Sequence, residues 1–162
     1  MILNRNNIYN FDQEEIAYQL GLVVPPEKRY LFKKVREEDK PIAGYGTQIQ
    51  NDEYSINNFF SNNNISLKQE YYYILDVEKA RTFLKNNINN DIMICLHCGI
   101  LYDSLESDWG HMVLFETINK DIVTILDPSE KRGIENVNIN KLILSIRVHG
   151  KIKAAGFWLI KK

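Results

Sequence analysis

Cysteine is scarce in this chain: two in 162 residues, Cys95 and Cys98, and none before residue 95. Thiols so close together gain little from a bridge, so the pair excludes a secreted disulfide framework and implies a reducing, cytoplasmic location. Net charge is nearly absent too, −1 from 20 Lys and Arg against 21 Asp and Glu. That balance draws the chain neither to nucleic acid nor to an anionic membrane, and neither is expected as a partner. No apolar run reaches the roughly 20 residues of a membrane span, and Met1 is not followed by a signal-peptide pattern. Repeats, linkers and low-complexity tracts are missing as well. What is there, 44% apolar and 25% charged residues, is the composition of an ordinary folded protein, and the length suits a single domain over 1–162.

Met1, Ile2 and Leu3 read as the tail of an apolar element. Asp12 and Glu15 form a capping box, Phe11 a staple, and Ile16, Ala17 and Leu20 an apolar face closed by Gly21. This spacing predicts a helix over 12–20. Pro25 and Pro26 make 22–27 a non-helical exit, and the dense mixed charge of 28–40 reads as a solvated segment. The loop 41–48 lacks the lysine and the glycine spacing of a phosphate loop, which excludes nucleotide binding there. Its glycines would let a ligand approach the backbone, so Tyr45 and Gly46 are candidates for lining a groove. A short helix is predicted over 54–60, ended by the asparagines 62–64. A strand over 71–75 follows, then a helix capped by Asp76 with Val77, Ala80, Phe83, Leu84 and Ile88 at helical spacing. The pattern continues with a buried strand 92–98, a loop 100–109, strands 111–118 and 121–127, and a loop through Gly133. A short helix 142–146 and a strand 155–160 close the chain. Helices followed by neighbouring strands imply an α+β fold with a mostly antiparallel sheet of about four to six strands.

The stretch 110–128 carries the clearest chemical signal. Two β-branched and aromatic runs flank Asn119-Lys120, which reads as a hairpin tip. Paired around that tip, His111 and Asp127 come out directly opposite or one step out of register, and directly opposite residues share a face about 5 Å apart at Cβ. A carboxylate against an imidazole is the base-and-orienter half of a nucleophilic triad. The plainer reading is a rim histidine beside an aspartate that caps a strand before Pro128. Trp109 and Gly110, just ahead of His111, are further groove candidates, with an anchoring aromatic as the plain alternative for Trp109.

The other candidates are weaker. Cys95-Leu96-His97-Cys98 on a strand would send Cys95 and His97 one way and Cys98 the other, which spoils a zinc site. A strand interior also offers no helix N-terminus to activate a thiol. Cys95 is expected as a core residue and Cys98 as an exposed strand end. His149 reads as a surface residue in a turn. Asp103, Glu106 and Asp108 lack the glycine and spacing of a calcium loop. No metal or cofactor is expected; a metal-dependent hydrolase using His97, His111 or His149 with Asp127 is a third and weaker class of reading.

Gly110-His111-Met112-Val113-Leu114-Phe115 followed by Ile125-Leu126-Asp127-Pro128-Ser129 resembles the bacteriocin-processing (C39-like) branch of the papain-like cysteine peptidases. In that family a Gly-His opens one strand, an Asp-Pro closes the next, and the two act as base and orienter. The strand 92–98 and the segment 11–22 are similar to the family's strand before the histidine loop and the helix after its nucleophile helix. The resemblance implies a papain-like fold with N-terminal helices packed on an antiparallel sheet. It implies a cysteine peptidase or thiol acyl-hydrolase in which His111 is general base and then general acid and Asp127 orients it, with a peptide or protein as substrate or partner. The family's cysteine stands at the start of a helix upstream of the Glu14-Glu15-Ile16-Ala17 segment, after a glutamine, and this sequence has no cysteine there. The alternative is therefore a catalytically inactive papain-fold module that binds a peptide or protein.

Overall fold

The computed structural model describes residues 1–42, 44–104, 109–129 and 132–162. The chain divides into two compact units, Met1–Lys68 and Gln69–Lys162.

In the first unit, α1 (Ile2–Arg5) is a single turn. α2 (Gln13–Gln19) starts at the capping signal, where the Asp12 carboxylate accepts the Glu15 N–H at 2.7 Å. The Glu15 carboxylate does not reach back to complete the box; it accepts from Lys34 at 2.8 Å and Gln19 at 2.9 Å. Gly21 beyond the helix sits at φ +71°, and a Cβ there would lie 2.5 Å from the Tyr54 ring. The exit 22–27 is not wholly non-helical. A 3-10 helix runs Pro26–Leu31 with proline in its first turn, where the missing N–H breaks no bond. Nor is all of 28–40 merely solvated: the Arg36 guanidinium lies between the Tyr18 and Tyr54 rings, 4.6 Å from each centroid. Val23 and Gly46 exchange backbone hydrogen bonds at 3.0 and 2.8 Å, and the Gln48 amide donates to the carbonyls of Gly44 and Gly46. These bonds hold the loop that carries Tyr45. After a 3-10 turn at Asp52–Tyr54, α3 (Ile56–Asn62) is capped by Ser55 and gives way at Asn63.

The second unit contains β1 (Lys68–Tyr72, entered from the first unit), α4 (Val77–Asn86), β2 (Asp91–His97), α5 (Cys98–Tyr102), β3 (Gly110–Asn119) and β4 (Ile122–Asp127). β5 (Gly133–Asn138), α6 (Ile139–His149) and β6 (Gly156–Lys161) complete it. The six strands form one sheet in the order β1-β6-β2-β3-β4-β5. The pairings from β6 through β5 are antiparallel, as the α+β reading requires. Ile92, Ile94 and Leu96 of β2, Val113 and Phe115 of β3, Val123 and Ile125 of β4 and Phe157 of β6 point to one face. Ala80 and Leu84 of α4, Leu101 of α5, and Leu142, Ile143 and Ile146 of α6 cover that face and close the core. Among the described residues no helix is long and apolar enough to cross a membrane.

Four local expectations need correction. β1 lies three residues earlier than 71–75; Tyr73, Ile74 and Leu75 pack against the core without joining the ladder. The loop expected from 100 is preceded and entered by α5, whose N-cap is the His97 ring accepting the Ile100 N–H at 3.3 Å. The loop expected through Gly133 gives way there to β5, a largely polar edge strand with only Val137 buried, which hydrophobic patterning does not reveal. α6 spans eleven residues rather than 142–146, because Asn138 caps it and Ile139, Leu142, Ile143 and Ile146 all face the core. Helices and strands also interleave, with α4 and α5 separating β1, β2 and β3. Glu106 and Asp108 lie outside the described residues.

Candidate functional site

His111 is the second residue of β3 and pairs with Leu96 of β2. Leu96 is completely buried on the core face, so its cross-strand partner turns the same way, at the rim of that face. The register of the β3–β4 hairpin brings Asp127 to it. The turn is Lys120-Asp121, one residue later than expected, with Lys120 at φ +52° and Asn119 paired with Ile122. If that register ran on unbroken, Asp127 would fall opposite Leu114, and His111 would lie on the other face. A β-bulge between Phe115 and Thr117 shifts the pairing by one, so that Phe115 meets Ile125 and Leu114 meets Leu126. Carried one residue further, this sets Asp127 across from Val113. His111 is therefore its diagonal neighbour on the shared face, not its direct opposite.

Side-chain length closes the diagonal: His111 Nε2 lies 2.8 Å from Asp127 Oδ2. The imidazole side chain is 16% exposed and the carboxylate fully covered. A buried carboxylate stays ionised only if donors replace its water. Three do so here. The Ser129 N–H donates to Oδ1 at 2.8 Å, while the Tyr102 hydroxyl and His111 Nε2 both donate to Oδ2. Burial raises the Asp127 pKa, but the bonds from Ser129, Tyr102 and His111 outweigh it and hold the carboxyl down at about 2. With Nε2 donating to the carboxylate, Nδ1 carries the ring's lone pair, and among the described residues no donor reaches it. This is the arrangement of an imidazole oriented to take a proton at Nδ1.

Tyr102 was not a sequence candidate. It ends α5, a five-residue helix with too little periodicity to stand out. Its phenol is pushed far above the ordinary range, first by burial and then by its bond to Asp127. The Arg132 guanidinium sits 3.3 Å over its ring centroid.

The remaining candidates scatter. Gly110 pairs with His97, and Trp109 beside it is 55% exposed. A Cβ at Gly110 would lie 2.5 Å from the His149 ring, so glycine is required there by a close approach. His149 is consequently not a surface residue: it ends α6, is only 9% exposed, and burial lowers its pKa. Tyr45 and Gly46 belong to the first unit, where Lys40 lies 5.5 Å from the Tyr45 centroid. Cys95 is buried as expected, its thiol pushed by burial to about 12. Cys98 is buried as well, and it opens α5 instead of ending a strand in solvent. Neither of the two is in a disulfide. Among the described residues no three side chains of His, Cys, Asp or Glu converge as metal ligands would.

Comparison with protein-family models, with curated proteins and with solved structures gives no match.

Proposed function

We propose that this chain is a papain-like domain of the bacteriocin-processing type that keeps the base half of a thiol acyl-transfer site. His111 Nδ1 takes the proton of an incoming thiol, the thiolate attacks a peptidyl carbonyl, and the imidazolium returns the proton to the leaving group. Asp127 holds the ring in the required tautomer and stabilises its charged form. The observation that carries this reading is the 2.8 Å contact between His111 Nε2 and a carboxylate kept ionised by two further donors. A buried aspartate so fully bonded is costly to build for a merely structural rim histidine. The reacting thiol is not Cys95, whose burial opposes ionisation.

A second reading has its own observation. Both cysteines of the chain are buried, and a base without an accessible thiolate is the expected state of a module that binds a peptide without cleaving it.

The test is thiol–thioester exchange between a peptidyl thioester and an added small thiol, comparing wild type with His111→Ala and Asp127→Asn. Exchange accelerated by wild type and reduced at least tenfold in both variants supports the acyl-transfer site. Equal rates in all three, with peptide binding retained by His111→Ala, would establish the binding module instead.

A further inference from the structure

Asp127 Oδ2 accepts from two groups at once, the Tyr102 hydroxyl and His111 Nε2. Donors that share one oxygen share its negative charge, so the hydroxyl weakens the field the carboxylate offers the imidazole. That matters for a base. An unshared buried carboxylate favours the imidazolium, and a ring already protonated at neutral pH cannot accept the proton of a thiol. The phenol is itself held under a cation, with Arg132 3.3 Å from its ring centroid and paired at 3.6 Å with Glu135. The cation fixes the ring and strengthens the hydroxyl as a donor.

We propose that Tyr102, clamped beneath Arg132, is a positioning residue that fixes Asp127 and loosens the hold of His111 on its proton, keeping the imidazole available as a base. The proposal rests on the acyl-transfer reading above and names what sets the pH at which that site works. Among the described residues, Asp127, Arg132 and Glu135 are the charged groups acting on Tyr102. On the other side the imidazole meets Asp127 itself, and the Tyr102 and His111 rings stand 6.4 Å apart, edge to face.

Tyr102→Phe removes the hydroxyl and keeps the ring. The His111 titration, followed by NMR on the assigned imidazole, moves upward in this variant, and the acidic limb of thiol–thioester exchange moves up with it. Fluorotyrosine in place of Tyr102 makes the hydroxyl a stronger donor without changing the fold, and the same titration moves downward. A structural role would lower Tm in the first variant yet leave both midpoints where they were. Unchanged midpoints, or shifts of the same sign in the two proteins, overturn the proposal. If Tyr102→Phe does not fold, the fluorotyrosine protein decides alone by the direction of its shift. The titration is read on the ring and needs no turnover. Moved midpoints without exchange would therefore sink the functional reading and leave the tuning, and exchange with fixed midpoints would do the reverse.

Discussion

Replacing Asp127 by asparagine removes a charge whose cost and benefit can both be read from its surroundings. The carboxyl is buried, yet its pKa lies at about 2 instead of 3.8, because the bonds from Ser129, Tyr102 and His111 outweigh the penalty of burial. At about 1.36 kcal/mol per pKa unit, that depression is worth roughly 2.5 kcal/mol of stability when the group is ionised in both states. The sign follows from a folded pKa below the unfolded one. The contribution is complete above about pH 5, declines as pH falls through about 4 toward 2, and is gone below that. Urea unfolding of wild type and Asp127→Asn, followed by the fluorescence of the buried Trp158, gives the difference at each pH. The expected gap is about 2.5 kcal/mol at pH 7, shrinking steadily below about pH 4. A gap that stays constant from pH 7 to pH 2 would refute the reasoning, since only a charge-dependent contribution titrates.

Other consequences are more local. Gly110→Ala places a Cβ 2.5 Å from the His149 ring and should destabilise the fold by about 1–3 kcal/mol; His149→Ala in the same chain should recover part of that loss in a double-mutant cycle. Deleting Glu116 removes the extra residue of the β3 bulge yet leaves Phe115 opposite Ile125 and Thr117 opposite Thr124 in an unbroken ladder, so the His111–Asp127 contact should persist, which nitrogen-15 NMR of the His111 ring would report. Asp76→Ala removes the acceptor 2.8 Å from the Lys79 N–H and should cost about 1 kcal/mol in urea unfolding. Iodoacetamide should label Cys95 slowly near neutral pH, independently of His111→Ala, since burial holds its thiol at about 12.

The sequence showed the pieces of the site more readily than their assembly. Capping residues work through bonds three positions away, so Asp12 and Asp76 mark helix starts from local chemistry alone, whereas Ser55, which caps α3, was taken to lie inside a helix over 54–60. The β-branched runs of the hairpin announce β3 and β4 in the same way. Register is different. It depends on which residue accepts positive φ at the turn, here Lys120, and on a bulge with no glycine or proline to signal it. That His111 and Asp127 come together was therefore legible while their diagonal relation was not. Tyr102 was missed and His149 was read as a surface residue for a shared reason: each ends a helix, and what it touches is fixed by tertiary packing against Asp127 and Gly110. β5 escaped notice because an edge strand with one buried side chain has no apolar alternation to read.

Asp127 fixes His111 with its proton on Nε2 and its lone pair on Nδ1. Nitrogen-15 NMR of the ring, above its titration range, measures this directly. The expected result is a pyrrole-type shift at Nε2 and a pyridine-type shift at Nδ1, converging toward averaged values in Asp127→Asn. A ring protonated at Nδ1, or averaged shifts in the wild type, would contradict it.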